Sequence, residues 1–136
     1  METVIYIKGS YFYDTQKGEY GAVIIHPDGS RDYISGNEDN STSCRLELLA
    51  IINAIKKFDN DQSVDIYTAD NVIISGINNR WMMRNKNRKH MDLWSEILKF
   101  GRKHKIQAFR TPSKHTYHIE FAKYLAQEGR KEHIKK

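Results

Sequence analysis

Val4-Ile5-Tyr6-Ile7-Lys8-Gly9-Ser10 is an apolar run that stops at a glycine–serine pair. It reads as a buried β-strand over residues 3–8, closed by a tight turn. Working outward, Tyr20 to Ile25 is a second apolar run, and His26-Pro27-Asp28-Gly29-Ser30 follows it. Proline fixes φ and glycine supplies positive φ, so this segment signals a turn. Arg31 to Gly36 then reads as a third strand, and residues 3–36 are expected to form a three-stranded antiparallel meander.

Beyond the polar stretch 37–43 the period changes. Leu48, Ile51, Ile52 and Ile55 recur at helical spacing between Arg45 and Phe58, with Ser43 placed as the cap. Val64 to Thr68 reads as a short buried strand. A strand, a helix and another strand predict a crossover and a parallel pair. Asp70 is a natural cap for a helix carrying Ile73, Ile74 and Ile77, and Asp92 for one carrying Leu93, Trp94, Ile97 and Leu98. Ile106 to Arg110 reads as a fifth strand. Residues 118–130 read as a final helix with Phe121, Ala122 and Leu125 toward the core. The expected order is βββαβααβα: an α/β protein with a mixed five-stranded sheet flanked by helices, one domain over residues 1–136.

Bulk properties narrow the function. The chain has 136 residues, 39% hydrophobic and 29% charged, which suits a soluble domain with one core. No apolar run approaches the roughly 20 residues needed to span a bilayer, so no membrane role is expected. The chain opens on a strand pattern rather than a basic and then apolar leader, and its one cysteine, Cys44, has no disulfide partner within the chain. Both features point to a reducing, cytoplasmic setting. The formal charge is +5 and the pI about 9.3. Arg80, Arg84, Lys86, Arg88 and Lys89 cluster in a stretch free of acidic residues, and Lys99, Arg102, Lys103 and Lys105 follow. Clusters of this kind neutralise phosphates, or simply form a solvated face.

Six motifs in order resemble the type 1 ribonuclease H family. Ile5 to Ser10 is similar to the family's Tyr-Thr-Asp-Gly-Ser strand, and Tyr20-Gly21-Ala22-Val23-Ile24 to its second strand. Thr42-Ser43-Cys44-Arg45-Leu46-Glu47-Leu48-Leu49-Ala50 resembles its Thr-Asn-Asn-Arg-Met-Glu-Leu-Met-Ala helix start. Tyr67-Thr68-Ala69-Asp70-Asn71 resembles its Thr-Asp-Ser motif, with Gly76-Ile77 at the family spacing. Met91-Asp92-Leu93-Trp94 resembles its Val-Asp-Leu-Trp, and His118 to Ala126 its last helix. The resemblance covers nearly the whole chain and implies a ribonuclease H-like fold.

The resemblance also implies a site. In the family four carboxylates hold two magnesium ions that drive hydrolysis of the RNA strand of a hybrid. Carried over one by one, the first position is Lys8, the helix glutamate is Glu47, the third is Ala69 with Asp70 one place later, and the fourth is Lys123. Four carboxylates carry about −4 and balance two divalent ions. Lys8, Glu47, Ala69 and Lys123 carry about +1, and Asp70 brings the set only to neutral. No metal cofactor is therefore expected, and the ammonium groups of Lys8 and Lys123 are expected to pair with Glu47 in place of metals. A relocated set of Glu47, Asp70 and Glu120, with Mg2+ or Mn2+, is the arrangement that an active enzyme would require. His115 and His118 lie near the family's loop histidine or are surface residues.

Binding features carry over more fully. Thr42, Ser43 and Arg45 stand where the family's helix start meets hybrid backbone, and hydroxyls and amides at a helix start suit phosphate. Trp81 with Arg84, Lys86, Arg88 and Lys89 resembles a shortened basic protrusion that grips the DNA strand, or Trp81 belongs to the core. Three functions follow: a ribonuclease H-like domain that has lost hydrolysis and binds an RNA–DNA hybrid or duplex or serves in assembly; an active divergent ribonuclease H; or a protein-interaction scaffold with no nucleic-acid role.

Overall fold

The computed structural model describes residues 2–57, 63–79, 90–112, 120–122, 124 and 125. Alternation in the first strand sets its two faces. In β1 (Glu2–Phe12), Ile5 and Ile7 point one way, and Tyr6 and Lys8 the other. β1 pairs antiparallel with β2 (Lys17–Ile25), which pairs antiparallel with β3 (Arg31–Asn37). On its other side β1 runs parallel to β4 (Ser63–Thr68), and β4 parallel to β5 (Lys105–Arg110). The sheet order is β3-β2-β1-β4-β5. The meander, the crossover and the mixed five-stranded sheet are as the sequence predicts.

The first strand is longer than expected. Gly9 and Ser10 do not turn; they pair with Tyr20 and Glu19, and the ladder continues to Phe12 opposite Lys17. The chain reverses at residues 13–16, where Gln16 takes a left-handed φ of 59° and its N–H reaches the Phe12 carbonyl at 2.8 Å. Glycine at position 9 serves packing rather than a turn. A Cβ there would lie 3.0 Å from Glu47 Cγ, Leu46 Cβ and the Ser43 carbonyl, all in α1 (Ser43–Ile55). The bare backbone lets the helix settle directly onto the strand.

One sheet face carries the main core. Ile5, Ile7, Ala22, Ile24, Val64, Ile66 and Ala108 pack there against α1, α2 (Asn71–Asn79) and α3 (Met91–Gly101) through Leu48, Ile51, Ile73 and Trp94. The opposite face carries one cross-strand row, Tyr33–Val23–Tyr6–Tyr67–Phe109. Tyr6 and Tyr67 stack at 5.0 Å, and Tyr67 meets Phe109 at 5.6 Å. Of the expected last helix, residues 120–122, 124 and 125 are described and are helical. Ala122 is fully buried as expected, but Phe121 is not a core residue: it is 38% exposed and its ring lies 5.0 Å from Tyr33.

β5 lies at a sheet edge, and α2 guards it. The Asn78 side chain donates to the Ala108 carbonyl at 2.7 Å and accepts the Ala108 N–H at 2.8 Å. One amide thus stands in for a neighbouring strand and satisfies both backbone groups.

Two caps differ from expectation. α1 is capped by Thr42, not Ser43: Thr42 is extended (φ −140°, ψ 161°) and its hydroxyl accepts the Arg45 N–H at 3.1 Å. α3 begins after His90, not at an Asp92 cap. His90 is left-handed (φ 63°), and its carbonyl accepts the N–H groups of Leu93 and Trp94. Asp92 sits in the first turn, where a carboxylate suits the helix dipole. Asp70 caps α2 as expected, its Oδ1 accepting from Val72 N at 2.8 Å and Ile73 N at 3.3 Å.

Candidate functional site

The site forms where the ends of β1 and β4 meet the start of α1. Period two along β4 places Val64, Ile66 and Thr68 on the core face. Thr68 is fully buried and directed at α1. Its hydroxyl donates to Glu47 Oε1 at 2.5 Å and accepts the Asp70 N–H at 3.0 Å. Glu47 is 5% exposed and also accepts the Gly9 backbone N–H. Burial pushes the Glu47 carboxyl up to about 7; the Asp70 charge adds to this, while the Thr68 bond, the Lys8 ammonium and the Gly9 amide oppose it.

Lys8 lies on the opposite sheet face, half-buried, paired across the ladder with Gly21. It lowers the Glu47 carboxyl through space, but among the described residues no direct ion pair joins the two. The expected Lys8–Glu47 pair is thus replaced by hydrogen bonds from Thr68 and Gly9. Ala69 follows the end of β4 and is exposed, and Asp70 is committed to the α2 cap. Among the described residues no three of His, Cys, Asp and Glu gather as metal ligands, and Glu47, Asp70 and Glu120 are all described. The relocated carboxylate set is not assembled. Lys123, His115 and His118 lie outside the described residues.

The binding candidates divide. Arg45 is committed within the fold: its Nε donates to Glu38 Oε1 at 2.7 Å, and its Nη1 and Nη2 grip Asp92 Oδ1 and Oδ2 at 3.2 and 3.1 Å. It ties the start of α1 to the start of α3. The Thr42 hydroxyl also lies 3.4 Å from His90 Nε2. Ser43 is exposed at the first turn of α1. Trp81, Arg84, Lys86, Arg88 and Lys89 lie outside the described residues. Cys44 is half-buried, and burial pushes its thiol up to about 12, with Asp70 and Glu47 adding to the effect. Burial of this kind favours the thiol over the nucleophilic thiolate.

Two site residues were missed in the sequence. Thr68 was legible, since strand alternation directs it to the core with Ile66. Arg110 was not: from the end of β5 it reaches back to donate to the Ala69 carbonyl at 3.3 Å and to Asn71 Oδ1.

The family model described as RNase H matches residues 1–130. The chain belongs to the ribonuclease H family. A ribonuclease H from Campylobacter jejuni is 30% identical over 120 residues, covering 85% of this chain and 81% of the relative. One from Caldicellulosiruptor saccharolyticus is 32% identical over 116 residues, covering 78% and 79%. Among solved structures, LC11-RNase H1 in complex with RNA/DNA hybrid superposes with a TM-score of 0.75 at 15% identity, covering 97% of this chain and 99% of that one. This likeness agrees with the ribonuclease H-like fold read from the motifs. No helix among the described residues is long and apolar enough to cross a membrane.

The raised Glu47 carboxyl sets a pH dependence. The folded state holds a proton on Glu47 up to about 7, whereas an ordinary glutamate releases it near 4.5. Between these values the folded state binds more protons, so stability falls as pH rises from about 4.5 to about 7 and levels off above. The gap corresponds to about 3 kcal/mol. Glu47→Gln keeps an acceptor for Thr68 and carries no charge. The difference in unfolding free energy between wild type and Glu47→Gln, from urea titrations at several pH values, is expected to move in favour of the variant across that window. Asp65, raised to about 6 mainly by burial, titrates in both proteins and cancels.

Proposed function

We propose that this ribonuclease H domain binds an RNA–DNA hybrid or duplex and has lost metal-dependent hydrolysis. The observation that carries the reading is Lys8: an ammonium occupies the β1 position where the family resemblance requires a metal-binding carboxylate, and it acts electrostatically on Glu47.

The remaining donors do not fit a pair of divalent ions. Glu47 Oε1 is taken by Thr68, Asp70 Oδ1 by two α2 amides, and Ala69 offers only a methyl group. The binding half of the reading rests on the basic run Arg84–Lys89 and the exposed start of α1, and it is supported by LC11-RNase H1, which shares the fold and holds an RNA/DNA hybrid. Binding to a labelled hybrid is expected to weaken steeply with salt. Alanine at Arg84, Arg88 and Lys89 together is expected to flatten the log K against log salt slope by about 3. An unchanged slope overturns the assignment of those residues, and no binding at all favours the scaffold reading.

A second reading, an active divergent ribonuclease H using Mg2+ or Mn2+, is favoured by one observation: the curated relatives are named ribonuclease H. It requires Glu47 to hold a metal ion beside its Thr68 bond or in place of it. A cytoplasmic setting fits either reading.

A further inference from the structure

A groove of about 360 Å³ lies away from the site, between the C-terminal halves of α1 and α3. Its floor is apolar: Ile52 and Ile55 from α1, and Phe100 from α3. The buried His104 ring stacks on Phe100 at 4.0 Å and stiffens one wall. Its rim is cationic. Lys56, Lys99 and Lys103 are all exposed and face a single carboxylate, Glu96. None of these four charges forms an ion pair among the described residues, and the lining carries three ammonium groups to one carboxylate.

We propose that this groove is a docking site for an acidic peptide segment that presents one large apolar side chain. The two halves of the recognition are separate. The concave floor of aliphatic and aromatic carbon takes an apolar side chain out of water, which is the main source of affinity in such pockets. The ammonium rim attracts flanking carboxylates and sets orientation and rate of encounter. Nucleic acid satisfies only the second half: a phosphate backbone has nothing to place on Ile52, Ile55 and Phe100. An uncharged apolar peptide satisfies only the first half and makes no use of the cationic rim. The proposal is independent of hydrolysis, since none of these residues touches Glu47 or Thr68.

The test uses the full chain and a fluorescein-labelled heptapeptide of six aspartates and one central phenylalanine, read by fluorescence anisotropy. The phenylalanine peptide is expected to bind at least about tenfold tighter than its alanine counterpart. The triple variant Lys56→Glu/Lys99→Glu/Lys103→Glu is expected to weaken binding by at least about tenfold. All three positions are exposed, and a thermal melt confirms that the variant folds. Equal binding of the two peptides, no effect of charge reversal, or no binding of the phenylalanine peptide overturns the proposal. Displacement of the peptide by an RNA–DNA hybrid at matched ionic strength also overturns it, because the groove would then be a nucleic-acid surface.

Discussion

Lys8→Asp/Ala69→Asp/Lys123→Asp, with Glu47 retained, is expected to convert the protein into a divalent-metal-dependent nuclease on RNA–DNA hybrids. The change takes the four positions from about +1 to about −4, the charge that balances two divalent ions. Activity is expected to rise from background by several orders of magnitude, since metal-assisted hydrolysis accounts for most of the rate in such sites. A second readout separates metal binding from turnover. Crowded carboxylates repel one another without a cation, so the variant is expected to melt earlier than wild type in EDTA and to recover in Mg2+. Wild type is expected to show no comparable Mg2+ shift. A variant that neither cleaves nor responds to Mg2+ means that more than the charge of the site has changed, with Glu47 still held by Thr68 as the first suspect.

Gly76→Val is expected to destabilise the fold by about 3 kcal/mol, a drop of roughly 10 °C in melting temperature. A Cβ at position 76 would lie 2.4 Å from Trp94 Cη2 and within 3.0 Å of two further ring atoms. Trp94 is 1% exposed, so its ring cannot swing into solvent. Helix α2 rides on α3 at this point, and α2 in turn holds the β5 edge through Asn78 and carries the Asp70 cap beside Glu47. Repacking therefore propagates to the site. Gly76→Val combined with Trp94→Phe is expected to lose less than the two single changes added together, because the smaller ring vacates part of the contested space. A Gly76→Val protein melting within a degree or two of wild type contradicts this packing.

Much of the fold was legible because local periods are strong. Ile5 and Ile7, the Tyr20–Ile25 run, and the Leu48, Ile51, Ile52, Ile55 series each carry their element in the spacing alone. What failed was decided by partners distant in sequence. Asp92 looks like a cap, but Arg45, 47 positions away, recruits it and leaves the start of α3 to His90. Gly9 looks like a turn residue, but α1 needs its missing side chain. Phe121 looks like core, but Tyr33 offers it a partner on the outer row.

The site was legible only in part. Lys8 and Ala69 stand out because the family resemblance assigns carboxylates there; composition and periodicity are silent on both. The substitute for the expected Lys8–Glu47 pair was hidden for a physical reason. A buried carboxylate must be satisfied, but several neighbours can do so, and the strand geometry selected Thr68 and the Gly9 amide over an ammonium on the far face. Arg45 was read as a phosphate contact because its position in the helix start fits, and the two carboxylates that claim it come from other elements.

Incubation of the wild-type protein with a labelled RNA–DNA hybrid in Mg2+ and then Mn2+, beside Glu47→Gln, tests the central claim most directly. A lost reaction predicts that both proteins retain the hybrid and that neither cuts it, even at high protein concentration. Cleavage by wild type that vanishes in Glu47→Gln contradicts the account: Glu47 would then hold a metal ion despite Lys8, and the protein would be an active ribonuclease H.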